Sequence, residues 1–259
     1  MRAIILAAGY ATRLYPLTET IAKPLLPVAG EPMIDRLVTK LQALPELGAI
    51  HVVTNAKFAP LFTAWAQTAP GKLPLVVHDD GTRSDEARRG AIGDIRFVLE
   101  QAAIDGEDLV VVAGDNLFDF GLDELVRFAL AKGGSALAVY EHPDRSILSQ
   151  YGIVDVDADD RVTAFLEKPD QPPSNLVATA TYFFRADHVE LIGEYLAAGN
   201  SPDQPGRFVA WLHEREPVYG FRFSGDWIDI GDLAQLLDAD NRLRLRNGLP
   251  ERDEYTLER

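Results

Sequence analysis

The sequence predicts a three-layer α/β protein, in which helices cover both faces of a mixed, mainly parallel sheet. Apolar runs rich in Val, Ile and Leu, typical of buried parallel strands, lie at residues 3–6, 50–54, 75–78 and 109–113. Between them, apolar residues recur at helical spacing, as in residues 34–44 and 92–102. This alternation of strand and helix implies right-handed crossovers and therefore a parallel sheet.

The pattern changes in the second half of the chain, where strands follow one another with short turns. These predicted strands are residues 135–141, 152–157, 162–167, 178–184 and 218–223. This part of the sheet is therefore expected to be mixed or antiparallel. Helical patterns return at residues 186–198, 207–215 and 232–246. With no internal repeat or long linker, we expect one domain over residues 1–259, divided into halves at 1–134 and 135–259.

Composition excludes several kinds of chemistry. The chain contains no cysteine, which rules out disulfides, thiolate zinc sites and cysteine nucleophiles. The first apolar run is too short for a signal peptide or a membrane span, so we expect a cytoplasmic protein without a membrane partner. The net charge of −15 argues against a nucleic-acid partner. An anionic ligand would therefore need a local cluster of cations or a metal ion.

Such a cation cluster is present in the long loop after the first strand, which reads LAAGYATRLYPLT and then KPLLP. The loops at the carboxyl ends of parallel strands bind ligands in this kind of sheet. Gly9 allows a sharp turn and a close approach of backbone amides to a ligand. Arg13 can clamp phosphate oxygens through its planar fork, and Lys23 adds a point charge. The two commoner glycine-rich nucleotide-binding patterns, G-x-x-x-x-G-K-[ST] and G-x-G-x-x-G, are absent from the sequence.

This loop resembles the signature of the sugar-1-phosphate nucleotidyltransferases, and most nearly that of the glucose-1-phosphate thymidylyltransferase type. The resemblance extends to the Trp-Ile-Asp-Ile-Gly segment at residues 227–231. It implies a Rossmann-like nucleotidyltransferase fold with a nucleotide-binding half (1–134) and an acceptor-binding half (135–259). It also implies a Mg²⁺-dependent transfer of a nucleoside monophosphate from an NTP to a sugar 1-phosphate, with release of pyrophosphate. Proteins of this family are commonly dimers or tetramers, so a homo-oligomer is an open expectation.

The resemblance also implies roles for individual residues. Arg13 and Lys23 would hold the triphosphate, and Asp115 and Asp229 would bind Mg²⁺, so Arg13, Lys23 and Asp115 form the predicted catalytic set. Tyr151-Gly152 and Glu167-Lys168 would frame the sugar phosphate. The complete set of predicted substrate-binding residues is Ala8, Gly9, Thr12, Gly81, Thr82, Gly90, Asn116, Tyr151, Gly152, Glu167 and Lys168.

Elementary chemistry supports the metal assignment. Asp115 follows a Val-rich strand, so its carboxylate should project into the same crevice as the Gly9 loop. Mg²⁺ prefers one or two carboxylates, with phosphate and water oxygens in the other positions. Each residue also has a structural alternative: a helix N-cap for Asp115, a turn for Asp229 and the solvated end of an edge strand for Lys168.

The chain departs from the family pattern at three places. Ala11 stands where many relatives have a second glycine, so the backbone there must find an allowed conformation or accept strain. The glutamine that usually reads the nucleobase is missing near residues 78–82, which leaves dTTP, UTP and CTP open. The strand at 178–182 lacks the Asn-x-Gly pattern, so the acceptor could also be a non-sugar phosphate or a phosphonate.

Two other function classes compete with the nucleotidyltransferase interpretation. A glycosyltransferase that uses a nucleotide sugar would need an Asp-x-Asp metal motif, which Asp155, Asp157 and Asp159 formally provide, although acidic residues between two strands are usually turn formers. A non-catalytic nucleotide sensor on the same fold is the second competitor, against which the intact Arg13 and Asp115 argue. The five histidines are scattered without metal-ligand spacing and are expected to be structural or solvated.

Overall fold

The computed structural model describes residues 1–257, so positions 258 and 259 of the predicted domain lie outside the described residues. The helices are α1 (Met33–Gln42), α2 (Ala59–Ala66), α3 (Ala91–Gln101), α4 (Leu122–Lys132), α5 (Ala186–Ala197), α6 (Pro205–Leu212) and α7 (Leu233–Arg246). The strands are β1 (Arg2–Leu6), β2 (Pro27–Val28), β3 (Glu31–Pro32), β4 (Ile50–Thr54), β5 (Leu75–Asp79), β6 (Leu109–Ala113), β7 (Asn116–Phe118), β8 (Ser135–Glu141), β9 (Gly152–Val156), β10 (Val162–Glu167), β11 (Leu176–Phe184), β12 (Val218–Arg222) and β13 (Trp227–Asp229). No helix in this described part is both long and apolar enough to cross a membrane.

The central sheet is mixed, as predicted. Strands β5, β4, β1 and β6 lie side by side in that order, and all of them are parallel. Next to β6, strand β11 runs antiparallel, and it also pairs with β8 and with the β9–β10 hairpin. Strand β12 then adds to β8 in parallel. The sequence had assigned these sheet strands to within two residues, whereas the short strands β2, β3, β7 and β13 were not predicted.

The predicted three layers are confirmed, because both faces of the sheet are covered by helices. In β1, Ile5 packs into a buried cluster with side chains of α1, α2 and α4, while its neighbour Ile4 packs into a second cluster with α3, α5 and α6. Successive side chains of a strand point to opposite faces, so a strand that is buried on both faces must be apolar at every position. This requirement explains the unbroken Val-rich run of β6.

A third apolar cluster attaches the loop after β1 to the C-terminal part of the chain. It contains Leu14 and Leu26 from the loop, Ile228 and Ile230 from the β13 region, and Leu236 of α7. All of these side chains are at least nine-tenths buried. The loop that carries the predicted phosphate-binding cations is therefore packed directly against the segment that carries the second predicted metal ligand.

Strands β7 and β13 form a short antiparallel ladder in which Asp229 lies opposite Asn116. Asn116 immediately follows Asp115, and Asp115 follows the last residues of β6. This ladder brings the two predicted metal ligands to the same edge of the sheet, although they are far apart in the sequence. Such long-range pairing has no local sequence signal, because it depends on where the chain returns after β12.

The acidic segment at residues 155–159 forms the end of β9 and the turn before β10. One carboxylate oxygen of Asp157 accepts hydrogen bonds from the backbone amides of Asp159 and Arg161, both at 2.9 Å. Asp157 therefore acts as a turn-forming residue, as predicted for an acidic residue between two strands. Its carboxylate is occupied by the backbone, which removes the main support for the glycosyltransferase motif.

A buried carboxylate fixes the segment after Lys23 to α7. Asp240, which is 1% exposed, accepts a hydrogen bond from the Ala29 amide at 2.6 Å and lies 3.6 Å from the Arg252 guanidinium. We expect Asp240→Ala to lower the free energy of unfolding by about 3 kcal/mol, because it removes one partner of a buried ion pair. Urea denaturation would measure this loss.

Asp238→Ala is the matched control, because Asp238 lies on the same helix in an exposed pair with Arg242. An exposed pair of this kind contributes less than about 1 kcal/mol. Equal effects of the two substitutions would contradict the anchoring role of Asp240.

Candidate active site

A cleft opens at the carboxyl ends of β1 and β6, where the fold class places ligand sites. It encloses about 210 Å³, and its lining residues are Leu6, Ala7, Gly9, Ala11, Arg13, Leu14, Lys23, Pro24, Asp115 and Gly231. The lining therefore includes the three predicted catalytic residues, Arg13, Lys23 and Asp115. They come from the loop after β1 and from the turn after β6.

The loop after β1 is held by an unusual backbone conformation at Ala11. This residue has a φ of 48° and a ψ of 45°, which is the left-handed region that favours glycine. For an alanine this conformation costs about 1–2 kcal/mol. The sequence left two outcomes open at Ala11, an allowed conformation or a strained one, and the structure shows the strained one. The Thr18 hydroxyl donates to the Ala11 carbonyl at 2.8 Å and helps to hold the turn.

Gly9 keeps the cleft open and is not the residue that makes the turn. Its φ lies outside the left-handed region, and a Cβ added there would meet no atom within 4 Å. The sharp turn expected of Gly9 thus falls two residues later, at Ala11. The absence of a side chain at Gly9 leaves room over the cleft in which a ligand can approach the backbone.

Lys23 and Asp115 form the central contact of the site. The Lys23 ammonium lies 2.5 Å from one carboxylate oxygen of Asp115. Lys23 is 8% exposed, and a buried ammonium group needs an anionic partner to offset the loss of hydration. Lys23 thereby becomes a fixed positive charge beside the strand-end carboxylate.

Asp229 completes a cluster of charged groups from four separate parts of the sequence. Burial, together with the negative charge of Asp115, raises the pKa of Asp229, while the positive charges of Lys23, Arg13 and Lys168 oppose that increase. These electrostatic effects indicate that all four predicted charged residues lie near Asp229. The donor set of two neighbouring carboxylates, one of which lines an open cleft, fits Mg²⁺, which takes one or two carboxylates and fills its other positions with phosphate and water.

Arg13 extends along the opposite side of the cleft and lies against Gly231. A Cβ at Gly231 would be 3.3 Å from an Arg13 guanidinium nitrogen, so a side chain there would crowd the guanidinium. The Gly231 amide donates to the Gln235 side-chain oxygen at 2.6 Å. Within residues 1–257 Arg13 forms no ion pair, so its planar fork can receive a phosphate group.

The predicted acceptor residues Tyr151 and Lys168 lie near Asp229, on the β9–β10 side of the site. The Lys168 amide donates to the Tyr151 carbonyl at 3.0 Å, and Lys168 has a left-handed φ of 50° with an exposed side chain. Burial and the negative charge of Asp229 raise the pKa of Tyr151 to about 12. Gly152 packs so closely against Phe165 that an added Cβ would lie 2.8 Å from its ring.

Glu167 is half-buried beside this acceptor region. An oxygen of its carboxylate would lie 3.3 Å from a Cβ at Gly152 and 2.8 Å from one at Gly206. Burial raises the pKa of Glu167, and the nearby charges of Lys168 and Arg207 oppose the increase. Glu167 therefore stands between the acceptor loop and α6.

Asn116 is engaged by the protein and does not present its side chain to a ligand. It is 3% exposed; its amide group donates to the Thr179 carbonyl, and its side-chain oxygen accepts from the Trp227 indole at 3.1 Å. It therefore joins β7, β11 and β13. The structure thus makes Asn116 a support for the two neighbouring aspartates, which differs from its predicted substrate-binding role.

The remaining predicted nucleotide residues lie around the β1–β4–β5 side. Asn55, which directly follows β4, donates to the Ala8 carbonyl at 2.8 Å. Thr12 is exposed in the first short turn of the loop. Gly81, with a left-handed φ of 79°, and Thr82 follow β5. Of these groups, Asn55 was missed, although a polar residue directly after a strand of this sheet was the signal that identified Asp115.

Gly90 does not face the cleft. It is buried, and a Cβ there would lie 2.5 Å from the Pro202 carbonyl oxygen. The next amides at the start of α3 donate to backbone carbonyls of Pro202 and Asp203. The helix start at 90–94 was expected to line the nucleotide pocket. This expectation is not met, because the segment before α6 covers the helix start.

Two of the five histidines, which were expected to be scattered, lie in contact. His51 of β4 and His78 of β5 lie on neighbouring strands, with ring nitrogens 2.9 Å apart. Burial and the adjacent His78 lower the pKa of His51 to about 4. The pair is therefore an uncharged, internal contact between two parallel strands.

Comparison with known proteins identifies the family. The model of the nucleotidyl transferase family matches residues 2–245. The chain belongs to this family. It is 26% identical over 244 residues to the bifunctional protein GlmU of Methanococcus maripaludis, covering 93% of this chain and 54% of that protein.

Two further proteins are similar to this family member. A UTP–glucose-1-phosphate uridylyltransferase of Synechocystis sp. is 27% identical over 249 residues, covering 92% of this chain and 62% of that protein. The chain thus spans between half and two thirds of the length of these relatives. In fold, it matches the crystal structure of a putative glucose-1-phosphate thymidylyltransferase from Bacillus anthracis with a TM-score of 0.77, at 22% identity and with 100% and 98% of the two chains covered.

The supporting role of Asn116 can be tested through stability. Asn116→Ala should lower the free energy of unfolding by about 2 kcal/mol, because the Trp227 indole loses its partner and the buried Thr179 carbonyl keeps only a long bond of 3.4 Å from the Thr181 hydroxyl. Chemical denaturation followed by tryptophan fluorescence would measure the change. Asn175→Ala is the control, since the bonds of that partly exposed amide are long, at 3.3 and 3.4 Å, and a loss as large as that of Asn116→Ala would contradict this role.

Proposed function

We propose that this protein transfers a nucleoside monophosphate from an NTP to a sugar 1-phosphate and releases pyrophosphate. The observation that carries this proposal is that Asp115 and three cations, Arg13, Lys23 and Lys168, lie near Asp229, and that Asp115, Arg13 and Lys23 line one cleft. Two polyanionic substrates can approach each other only where positive charge offsets their repulsion. The uridylyltransferase and thymidylyltransferase names of similar proteins support the same reaction class.

In the proposed reaction, an oxygen of the acceptor phosphate attacks the α-phosphorus of the NTP in line with the leaving group. A phosphorus–oxygen bond forms to the acceptor, the bond from the α-phosphorus to the bridging oxygen breaks, and pyrophosphate departs with that oxygen. An acceptor phosphate is already ionised at neutral pH, so no protein base is required. The protein contributes positioning and charge neutralisation.

The residues divide this work between the two substrates. Arg13 and Lys23 neutralise the triphosphate, and Lys168 at the edge of β10 neutralises the attacking phosphate. Asp115 and Asp229 would hold Mg²⁺, which supplies positive charge to phosphate oxygens when it is bound. Asn116 and Gln235 keep the carboxylates and the Gly231 turn in place.

The nucleobase and the acceptor are left open by this proposal. The similar proteins carry names with different bases, and no glutamine occupies the expected base-reading position near residues 78–82. An assay of ATP, GTP, CTP, UTP and dTTP against several sugar 1-phosphates, and against non-sugar phosphates and phosphonates, tests the proposal directly. Pyrophosphate release and the mass of the product identify the pair. Consumption of a nucleotide sugar without pyrophosphate would instead support a glycosyltransferase.

We expect Asp115→Ala to lower pyrophosphate release by at least about a thousandfold, because it removes a metal ligand and the partner of Lys23. The substitution should leave the fold intact, as judged by circular dichroism, since Asp115 lies outside the apolar clusters. The unfolding midpoint should fall, because the buried Lys23 ammonium loses its partner. Asp123→Ala is the control, because it changes the charge by the same amount on the surface of α4. Full activity of Asp115→Ala would refute the metal assignment.

Arg13→Ala should lower kcat/KM by about a hundredfold to a thousandfold if its fork stabilises charge that develops on the departing phosphates. Arg13→Lys should recover little of this loss, because an ammonium cannot make two parallel hydrogen bonds. Arg127→Ala, with a side chain that is 70% exposed, is the matched control. Complete rescue by Arg13→Lys would show that charge alone matters at this position.

A further inference from the structure

A second pocket adjoins the cleft that holds the predicted catalytic residues. It encloses about 300 Å³, and Asp229 and Tyr151 are among the residues that line it. The Tyr151 carbonyl accepts a hydrogen bond from the Lys168 amide at 3.0 Å. Gly231 lines the first cleft, and its amide donates at 2.6 Å to the side chain of Gln235, which lines the second pocket. The two cavities therefore meet at the short segment from Asp229 to Gly231.

One part of the lining of this second pocket, which we call the aromatic wall, consists of the rings of Tyr140, His142, Tyr151 and Trp227. Each ring is in contact with two of the others. The ring centroids are 5.9 Å apart for Tyr140 and His142, 6.4 Å for His142 and Tyr151, 5.3 Å for Tyr151 and Trp227, and 5.8 Å for Trp227 and Tyr140. The four rings therefore hold one another in place and give the pocket a fixed apolar surface.

Another part of the lining is polar and comes from α7. Gln235, Asp238 and Arg242 are three and four residues apart, so they lie on one face of the helix, and all three line the pocket. A carboxylate oxygen of Asp238 lies 2.8 Å from the Arg242 Nε, and the two side chains are 55% and 52% exposed. Because their charges offset each other, the pair presents accessible hydrogen-bond donors and acceptors without a net charge.

These two surfaces together match the chemistry of a sugar ring. Such a ring has C–H groups on its faces, which pack against aromatic rings, and hydroxyl groups around its edge, which bond to polar side chains. An acceptor whose phosphate lies at Lys168 can place its ring in this pocket, because Tyr151 adjoins both. Arg242 lies two helical turns beyond Gln235, or about 10 Å along α7. The ion pair therefore faces the part of the acceptor that is remote from its phosphate.

We propose that this pocket binds the ring of the acceptor and that the Asp238–Arg242 pair determines specificity, by selecting a sugar 1-phosphate whose ring carries no charge. This inference rests on the proposed function. A sugar hydroxyl can donate to Asp238 and accept from Arg242 at the same time. A carboxylate on the sugar could pair with Arg242 only beside the negative charge of Asp238, and an ammonium group meets the converse obstacle.

The first test measures kcat and both KM values in Arg242→Ala, with the most active NTP and glucose 1-phosphate. We expect the KM for the sugar phosphate to rise about tenfold, because a charged hydrogen-bond donor to the ring is lost. The kcat and the KM for the NTP should stay at their wild-type values, since this contact is the same in the bound substrate and in the transition state. Arg127→Ala is the matched control, because α4 carries the same pair, Asp123 with Arg127, also at 2.8 Å.

The second test compares kcat/KM for glucose 1-phosphate, glucuronic acid 1-phosphate and glucosamine 1-phosphate. The wild-type protein should prefer glucose 1-phosphate. Asp238→Asn leaves the charge of Arg242 unpaired, so the preference for glucose over glucuronic acid should fall about tenfold. Arg242→Gln leaves the charge of Asp238 unpaired, so the preference for glucose over glucosamine should fall by a similar factor. A pair that only stabilises α7 would change neither ratio.

The outcomes separate the inference from the proposed function. If pyrophosphate is released but the variants match Arg127→Ala in acceptor KM and in both ratios, the role of the pair is overturned and the transfer reaction stands. Equal use of glycerol 3-phosphate, which has no ring, would likewise overturn it. If no NTP yields pyrophosphate, the proposed function fails. Calorimetric titration with glucose 1-phosphate then tests the pocket alone: weaker binding to Arg242→Ala than to Arg127→Ala supports it, and equal or absent binding overturns it.

Discussion

The site depends on holding two carboxylates, Asp115 and Asp229, close together in a partly buried cleft. Like charges repel strongly where water is scarce, so this arrangement must be stabilised by the surrounding structure. Lys23 supplies a direct positive partner at 2.5 Å, and the β7–β13 ladder fixes the backbone of the second aspartate. Asn116, bonded to Trp227 and Thr179, joins that ladder to the main sheet. Positive charge in the cleft is thus required by the fold as well as by the proposed chemistry.

Part of the strained backbone lies in the segments that form or border the site. Ala11, Lys168 and Ala180 all adopt left-handed φ values of about 50°, and they lie in the loop after β1, at the end of β10 and in the irregular part of β11. Strained non-glycine residues persist only where neighbouring structure determines them, and they are often found at functional sites. Here the Leu14–Leu236 cluster and the hydrogen bond from Thr18 hold the first of these turns. The rigidity of the cleft comes from this packing.

Much of the fold could be read from local patterns, because three strands of the parallel half, β1, β4 and β6, are buried on both faces and each covering helix has an apolar stripe. For the site, the loop motif brought Arg13 and Lys23 together, and the strand-end rule selected Asp115. The same rule could have identified Asn55. It could not show that Asn116 is used internally, that Gly90 is covered by Pro202, or that Ala11 makes the turn expected of Gly9, since each depends on a contact with a distant segment.

By itself, the sequence determined the layer architecture, the loop of cations and the identity of the charged residues, because these follow from periodicity and from short motifs. Only the tertiary structure decided which of these groups face one another. The pairing of β13 with β7 places Asp229 beside Asp115, and the segment before α6 packs over Gly90. Such contacts join residues that are well separated along the chain, and a charge cluster acquires its properties from distance and burial, which no local pattern encodes.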